Sequence, residues 1–288
     1  MRVLLVGATG LLGSEVHAEL RARGHEVDAP ESDELDITDD RSISAYFLGA
    51  KVDWMVNCAA YTAVDQAEDE PDRARLLNAY GPMLLARVTT YLPVRMLHVS
   101  TDFVFDGRKG EPYLETDETN PLCVYAKTKL EGETHVLGEN PDNIVVRTAW
   151  LFGERGNCFP ATILRLARKG EKQIRVVSDQ RGSPTYARDL AAAIANLIEA
   201  NAPGGVYHVV NSGEATWHDL AVETLAAAGI SSPVAPISSE EWPTKAQRPA
   251  YSVLATERYR SLGFPALPDW RDAVRRFAEA LTTTEQRD

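Results

Sequence analysis

MRVLLVGATGLLG, Met1–Gly13, opens the chain with a short apolar run and a glycine-rich turn. Val3–Val6 has the composition of a fully buried parallel strand. Gly7, Gly10 and Gly13 follow at once in a G-x-x-G-x-x-G spacing, and Glu15–Arg23 reads as a helix with Val16 and Leu20 on one face. Strand, glycine turn and helix form the entry to a dinucleotide-binding βαβ unit. The glycines permit a tight turn and let a pyrophosphate approach the backbone at the helix N-terminus, where free N–H groups favour anions. The motif is informative because it sits between a strand and a helix. A purely structural turn is the alternative.

Working outward, the 288 residues are 44% hydrophobic and 25% charged, as in ordinary globular proteins. The length suits one large or two modest cores. A net charge of −12 argues against nucleic acid and against anionic membranes as partners. No apolar run approaches the roughly 20 residues of a membrane span. Three well-separated cysteines, Cys58, Cys123 and Cys158, fit a reducing compartment and lack metal-ligand spacing. A cytoplasmic protein is expected.

Further short strands are predicted at His25–Ala29, Asp53–Cys58, Arg95–Ser100 and Asn143–Leu151, with a helix over Ala74–Tyr91 between the second and third. This βαβ alternation implies α/β architecture, a Rossmann-like doubly wound parallel sheet. The acidic stretch from Glu31 to Asp36 would repel a 2′-phosphate and favours NADH; equally, it is a solvated loop with Asp39 or Asp40 capping a helix. Asn78, on the helix, reads by itself as a surface or capping residue. Asp106–Pro121 reads as a long surface loop. Tyr125 and Lys129, four apart, share a helix face. An ammonium beside a phenol favours the phenolate and lowers its pKa, which suits acid–base work. A surface Tyr over a Lys stem is the bland alternative, outweighed by the nucleotide turn and by Ser100-Thr101-Asp102 at a strand end. Beyond Gly153 come helices at Phe159–Arg168, Tyr186–Ala200, Asp219–Ala228 (behind a Thr216 cap) and Trp270–Leu281. Strands are read at Ile174–Val177 and Val206–Val210. Ser231–Arg248 reads as irregular and Thr282–Asp288 as a frayed tail.

Eight stretches carry a family resemblance: GATGLLG (7–13), LDITD (35–39), NCAAYTAVDQAE (57–68), STDFVFDG (100–107), YAKTKLEGE (125–133), RTAWLFG (147–153), DQRGSPTYARDLA (179–191) and RPAYSVL (248–254). Together they resemble the extended short-chain dehydrogenase/reductase superfamily and, within it, the dTDP-4-dehydrorhamnose reductases. The resemblance implies reduction of the 4-keto group of a dTDP-sugar with NADPH or NADH. It implies a catalytic set of Thr101, Tyr125 and Lys129, in which Lys129 lowers the pKa of Tyr125 and holds the nicotinamide ribose. Cofactor contacts are implied for Gly7, Gly10, Leu11, Leu12 and Gly13, for Asp36 and Ile37 beside the adenine, for Ala59, Ala60, Tyr61 and Thr62, and for Val99. Thr101, Asp102 and Trp150 would meet the substrate, and Asn78 matches an Asn of the superfamily's proton relay.

The same resemblance divides the chain. Residues 1–149 with about 184–211 would form an NAD(P)-binding domain. Residues 150–183 and 212–288 would form a smaller, interleaved C-terminal domain for the nucleotide sugar. Related dehydratases carry Asp-Glu after the catalytic Thr, whereas here Asp102 precedes Phe103, which favours simple reduction. Pro30 replaces the acid often found after the second strand, and Cys158 stands where the family tends to have Asn. Some members form a homodimer through magnesium held by glutamates. Glu15 matches one such position, but nothing near Arg188 completes a site, so no metal is expected. The alternatives are another nucleotide-sugar reductase or epimerase, or a non-catalytic NADP-binding protein resembling the regulatory subunit of methionine adenosyltransferase.

Overall fold

The structure, a computed structural model, describes residues 1–285. Strand β1 (Arg2–Val6) leads through the glycine turn into α1 (Leu11–Ala22), and β2 (Glu26–Asp28) follows. Then come α2 (Asp40–Phe47), β3 (Trp54–Asn57), and short helices α3 (Val64–Ala67) and α4 (Pro71–Arg75). A π-helical turn at Leu76–Tyr80 joins α4 to α5 (Gly81–Val88), and β4 (Arg95–Thr101), α6 (Val124–Glu139) and β5 (Ile144–Thr148) complete the first part.

The rest of the chain is shorter-stranded. Strand β6 (Leu151–Phe152), α7 (Phe159–Arg168), β7 (Ile174–Val177), β8 (Arg181–Gly182) and β9 (Thr185–Tyr186) lead to α8 (Ala187–Glu199) and β10 (Gly205–His208). Strand β11 (Ala215–Thr216), α9 (Trp217–Ala227), β12 (Val234–Ile237), α10 (Glu257–Ser261) and α11 (Trp270–Glu285) close the fold.

Six strands form one parallel sheet in the order β10-β5-β4-β3-β1-β2. Successive side chains of β1 face opposite sides of the sheet, and both sides are covered. Val3 and Leu5 pack with Val16 and Leu20 of α1 and with Leu190 and Ile194 of α8. Leu4 and Val6 pack with Ile43 of α2, Leu84 and Leu85 of α5 and Val136 of α6. Burial on both faces explains why these strands read as unbroken apolar runs. A third core gathers Phe152, Ile163, Leu220, Trp270 and Phe277 from the C-terminal elements.

The differences from the sequence reading have local causes. Helix α1 starts at Leu11 rather than Glu15, so Gly13 lies inside its first turn. A Cβ on Gly13 would lie 2.0 Å from the Gly7 carbonyl oxygen; only glycine lets the helix seat this close to the turn. The predicted helix over 74–91 is split by the π turn and ends at Val88. The strand over 143–151 stops at Thr148, because Trp150 takes a left-handed φ of 45° and turns the chain out of the sheet. Ser231–Arg248 is not wholly irregular: β12 pairs in parallel with β7. The loop after β4 is pinned, not loose, since buried Tyr113 stacks on Phe105 with ring centres 4.1 Å apart. The final helix runs to Glu285, past the predicted start of fraying; the remainder of the predicted tail, 286–288, lies outside the described residues. Among the described residues no helix is long and apolar enough to cross a membrane.

Gly13→Ala is expected to destabilise the protein by about 1–3 kcal/mol through overpacking against backbone. Gly138→Ala, where an added Cβ meets nothing within 4 Å, should be neutral or stabilising by up to about 1 kcal/mol. Urea unfolding of the two variants checks the contrast; equal effects would reject the packing account.

Candidate active site

The C-terminal ends of β1, β3, β4 and β5 open on a cleft of about 660 Å³ at the point where strand order reverses beside β1. Gly7, Gly10, Leu11, Leu12 and Gly13 form one wall. Ala59, Ala60 and Thr62 follow from the end of β3, and Val99, Thr101 and Asp102 from the end of β4. Tyr125, Lys129 and Trp150 complete the set. Three of the expected cofactor contacts do not line it. Asp36 is exposed and its carboxylate accepts from the N–H and hydroxyl of Thr38. Ile37 is buried in the core under α5. Tyr61 turns its ring into a small cluster with Ala67 and Ala74 and donates its hydroxyl to Glu70.

Helix α6 sets the geometry, because Tyr125, Lys129 and Glu133 recur every four residues along the face that meets β4. Lys129 Nζ donates to the Val99 carbonyl at 2.7 Å and lies 3.2 Å from His98 Nε2. One turn on, Glu133 accepts from Ser100 Oγ at 2.5 Å and from Arg147 Nη2 at 2.7 Å, all buried. Thr101 caps a 3₁₀ turn (Asp102–Val104): its Oγ accepts the Phe103 N–H at 3.2 Å and donates to Asp102 Oδ1 at 3.1 Å. The other Asp102 oxygen accepts from Ser252 Oγ at 2.5 Å, which ties the C-terminal segment to the cleft floor.

Burial dominates the electrostatics. It pushes Asp102 up to about 7 against the hydrogen bonds from Ser252 and Thr101. It pulls Lys129 down to about 8, opposed by the charge of Glu133. The Tyr125 phenol is raised above its ordinary value by burial; the contact with the Thr101 hydroxyl works the other way, and the charge of Asp102 adds to the rise. The expected lowering of Tyr125 by Lys129 is therefore not what the structure holds, since the amine is turned towards β4.

Beside these groups lies an aromatic wall. Trp150 stacks on Trp217 at 3.6 Å with an interplanar angle of 6°, and Phe159 lies 4.8 Å from Trp217. A left-handed backbone at a residue this large is a strained feature of the kind that concentrates at functional sites.

The family model described as the RmlD substrate binding domain matches residues 1–283. The chain belongs to this family. A dTDP-4-dehydrorhamnose reductase of Mycolicibacterium smegmatis is 42% identical over 276 residues, covering 95% of this chain and 84% of that one. The crystal structure of a dTDP-4-dehydrorhamnose reductase from Clostridium acetobutylicum superposes with a TM-score of 0.94 at 38% identity, covering 98% of this chain and all of the other. That of the Bacillus anthracis reductase, in complex with NADP, gives 0.92 at 36% identity, with 96% and 98% covered.

This RmlD-family member also places residues that the sequence reading misjudged, left without a role or passed over. Asn78 is fully buried, not a surface residue. It sits on the π turn, accepts the Tyr61 N–H at 2.8 Å, and donates to the Tyr61 carbonyl and to Thr128 Oγ1, each at 3.1 Å. Trp217 and Phe159 carried no signal beyond their positions at helix starts. His98 did carry one: it is a polar residue inside an otherwise apolar strand. Cys158 lines the cleft with its thiol directed at the Gly153 carbonyl. Near Glu15, the Arg188 guanidinium lies 3.5 Å from Glu15 and 2.9 Å from Glu154, an ion pair that spans the two carboxylates.

Because the Asp102 carboxyl is raised from an ordinary 3.8 to about 7, ionising it opposes folding, and native stability falls as pH climbs through that interval. Asp102→Asn cannot ionise. Its stability relative to the parent is expected to rise steadily between pH 4 and pH 7; a difference that stays flat in urea titrations across this range would reject the assignment.

Proposed function

We propose that this protein reduces the 4-keto group of dTDP-4-dehydro-L-rhamnose to give dTDP-L-rhamnose, with NADPH or NADH as cofactor. The observation that carries the reading is the convergence of Thr101, Tyr125 and Lys129 with the α1 N-terminus on one cleft, in a chain of this family. The cleft suits a dinucleotide. Gly10 provides no side-chain cap for α1 and no acid stands in the first turn, so the amides of Leu11, Leu12 and Gly13 face the cleft as anion donors.

When bound, the cofactor supplies the hydride. The residues of the chain supply the rest. The Tyr125 phenol, neutral because its pKa is raised, donates its proton to the carbonyl oxygen. The Thr101 hydroxyl turns from Asp102 to the same oxygen and polarises it. Lys129 holds the nicotinamide ribose from the floor of the cleft. Asn78 acts at a distance by holding the π turn against α6. Trp150 and Trp217 give the sugar an apolar wall, and the neighbouring groove of about 370 Å³, which shares Phe159 and Trp217 and contains Arg175 and Arg248, receives the nucleotide. Residues 1–149 and 184–211 thus serve the cofactor, and 150–183 with 212–288 the sugar nucleotide. Phe103, edge-on to Tyr125 with ring centres 6.0 Å apart, stands where elimination would need a second carboxylate, which supports reduction without loss of water.

The test is oxidation of NADPH and of NADH, followed separately by nicotinamide absorbance, with dTDP-4-dehydro-L-rhamnose generated in situ. Turnover with either supports the reading and ranks the cofactors: the acidic loop after β2 favours NADH, the NADP-bound relative NADPH. Folded, cofactor-binding protein that oxidises neither overturns it. Tyr125→Phe should lower turnover about 10²-fold or more, the effect of losing a general acid, while calorimetry shows cofactor affinity retained. Unchanged turnover in that variant would end the proposed role.

A further inference from the structure

A chain of hydrogen bonds runs under the cleft floor to Lys129, and its other members play no part in the steps above. Asn57, the last residue of β3, and His98 of β4 are register partners on neighbouring strands, and both are wholly buried. The Ala59 N–H donates to Asn57 Oδ1 at 3.0 Å. Asn57 Nδ2 lies 3.2 Å from His98 Nδ1, and His98 Nε2 lies 3.2 Å from Lys129 Nζ.

The direction of this chain follows from which atoms can accept. A backbone N–H only donates, so it holds the oxygen of Asn57 towards Ala59. The amide NH2 of Asn57 is then turned to His98, and because it too only donates, Nδ1 must be the bare nitrogen of the ring. His98 is neutral, since burial holds its pKa well below the ordinary value. Its one ring hydrogen is therefore on Nε2, pointing at Lys129. An amine can receive that hydrogen on its lone pair while donating to the Val99 carbonyl. An ammonium has no lone pair to receive it.

We propose that His98 is a positioning residue, polarised from the Ala59 amide through Asn57, whose Nε2–H donates to Lys129 and favours its amine form on the cleft floor. To accept a bond from the ammonium, the ring would have to move its hydrogen to Nδ1, against the NH2 of Asn57. One buried donor would then face another, a penalised arrangement. Burial lowers Lys129 to about 8, and a donor aimed at Nζ acts in the same direction. The charged and titratable groups around Lys129 add nothing to that lowering. Glu133 favours the ammonium and is itself paired with Arg147; the Cys58 thiol, pushed up to about 12, is neutral; Tyr125 and Asp102 line the same cleft, and a charge on either would favour the ammonium. A lysine so tuned can take up and return a proton near neutral pH, the property needed to resupply Tyr125 after each reduction.

This last consequence rests on the proposed reaction; the hydrogen-bond polarity does not. The test therefore starts without substrate. Nuclear magnetic resonance of protein labelled with ¹⁵N-histidine and ¹³C-lysine, assigned through the backbone, reads the His98 tautomer and the Lys129 titration together. The expected result is an Nε2–H ring and a Lys129 midpoint well below an ordinary lysine. An Nδ1–H ring, or an ordinary midpoint, overturns the proposal. Asn57→Asp offers two accepting oxygens, to Ala59 N–H and to Nδ1–H. It should flip the tautomer and raise the Lys129 midpoint, with the upper limb of kcat/KM against pH, by about one unit. A flipped ring with an unmoved midpoint overturns the coupling to Lys129. If this variant does not fold, the two readings on the parent protein decide alone. Absence of turnover, with the tautomer and midpoint as expected, would count against the reductase reading and leave the hydrogen-bond chain standing.

Discussion

How closely helix α6 lies against its neighbours controls the cleft. A Cβ on Gly132 would come within 2.1 Å of the Asn78 carbonyl oxygen, so the helix touches the π turn backbone to backbone. On its other side it is tied to β4 by Lys129 and Glu133. Between these contacts α6 has no freedom to rotate, and its four-residue stripe is aligned with successive residues at the end of β4. A helix standing further off by the width of one methyl group would detach Lys129 from Val99 and Tyr125 from Thr101 together. The π turn is part of the same constraint. Its extra residue lets Asn78 turn inward, where one amide holds both the backbone of Tyr61 and the hydroxyl of Thr128.

The cleft is poor in full charge, although the protein carries −12 overall. Asp102, Lys129, Tyr125 and Cys58 are all shifted by burial towards their neutral forms. The strong ion pair, Glu133 with Arg147, is beneath the floor. In the proposed reading, attraction for a phosphate falls to backbone amides at the start of α1, whose partial charge needs no counterion and stays in place as the neighbouring groups titrate.

Much of this architecture was legible in the chain. β1, β3, β4 and β5 are buried on both faces, and such strands write themselves as short apolar runs punctuated by small residues. The convergence of Thr101, Tyr125 and Lys129 and the glycine turn were legible for the same reason: they occupy strand ends or a regular helix, where spacing implies direction. What could not be read depended on distant partners. Asn78 looks like a surface residue until Gly132 lets α6 cover it. Val234–Ile237, interrupted by Pro236, becomes a strand through pairing with β7. The left-handed turn at Trp150 leaves no mark in the local sequence. The chain from Ala59 to Lys129 spans three elements, and its polarity is a property of atoms rather than of spacing. His98 was the visible trace of it, a polar residue in an apolar strand.

The outermost strand of the sheet has a consequence for synthesis. β5 is paired on one side with β4 and on the other with β10, which comes from residues 205–208. As the chain emerges from N- to C-terminus, Ile144–Thr148 is complete well before its second partner exists, and it is apolar enough to pair with another chain. Parallel pairing of this kind also forms slowly, because a long crossover must close first. The nascent protein thus passes through a stage in which its sheet ends on an adhesive, uncovered edge. Arrival of β10 covers that edge, making the later half of the chain its own protection against aggregation.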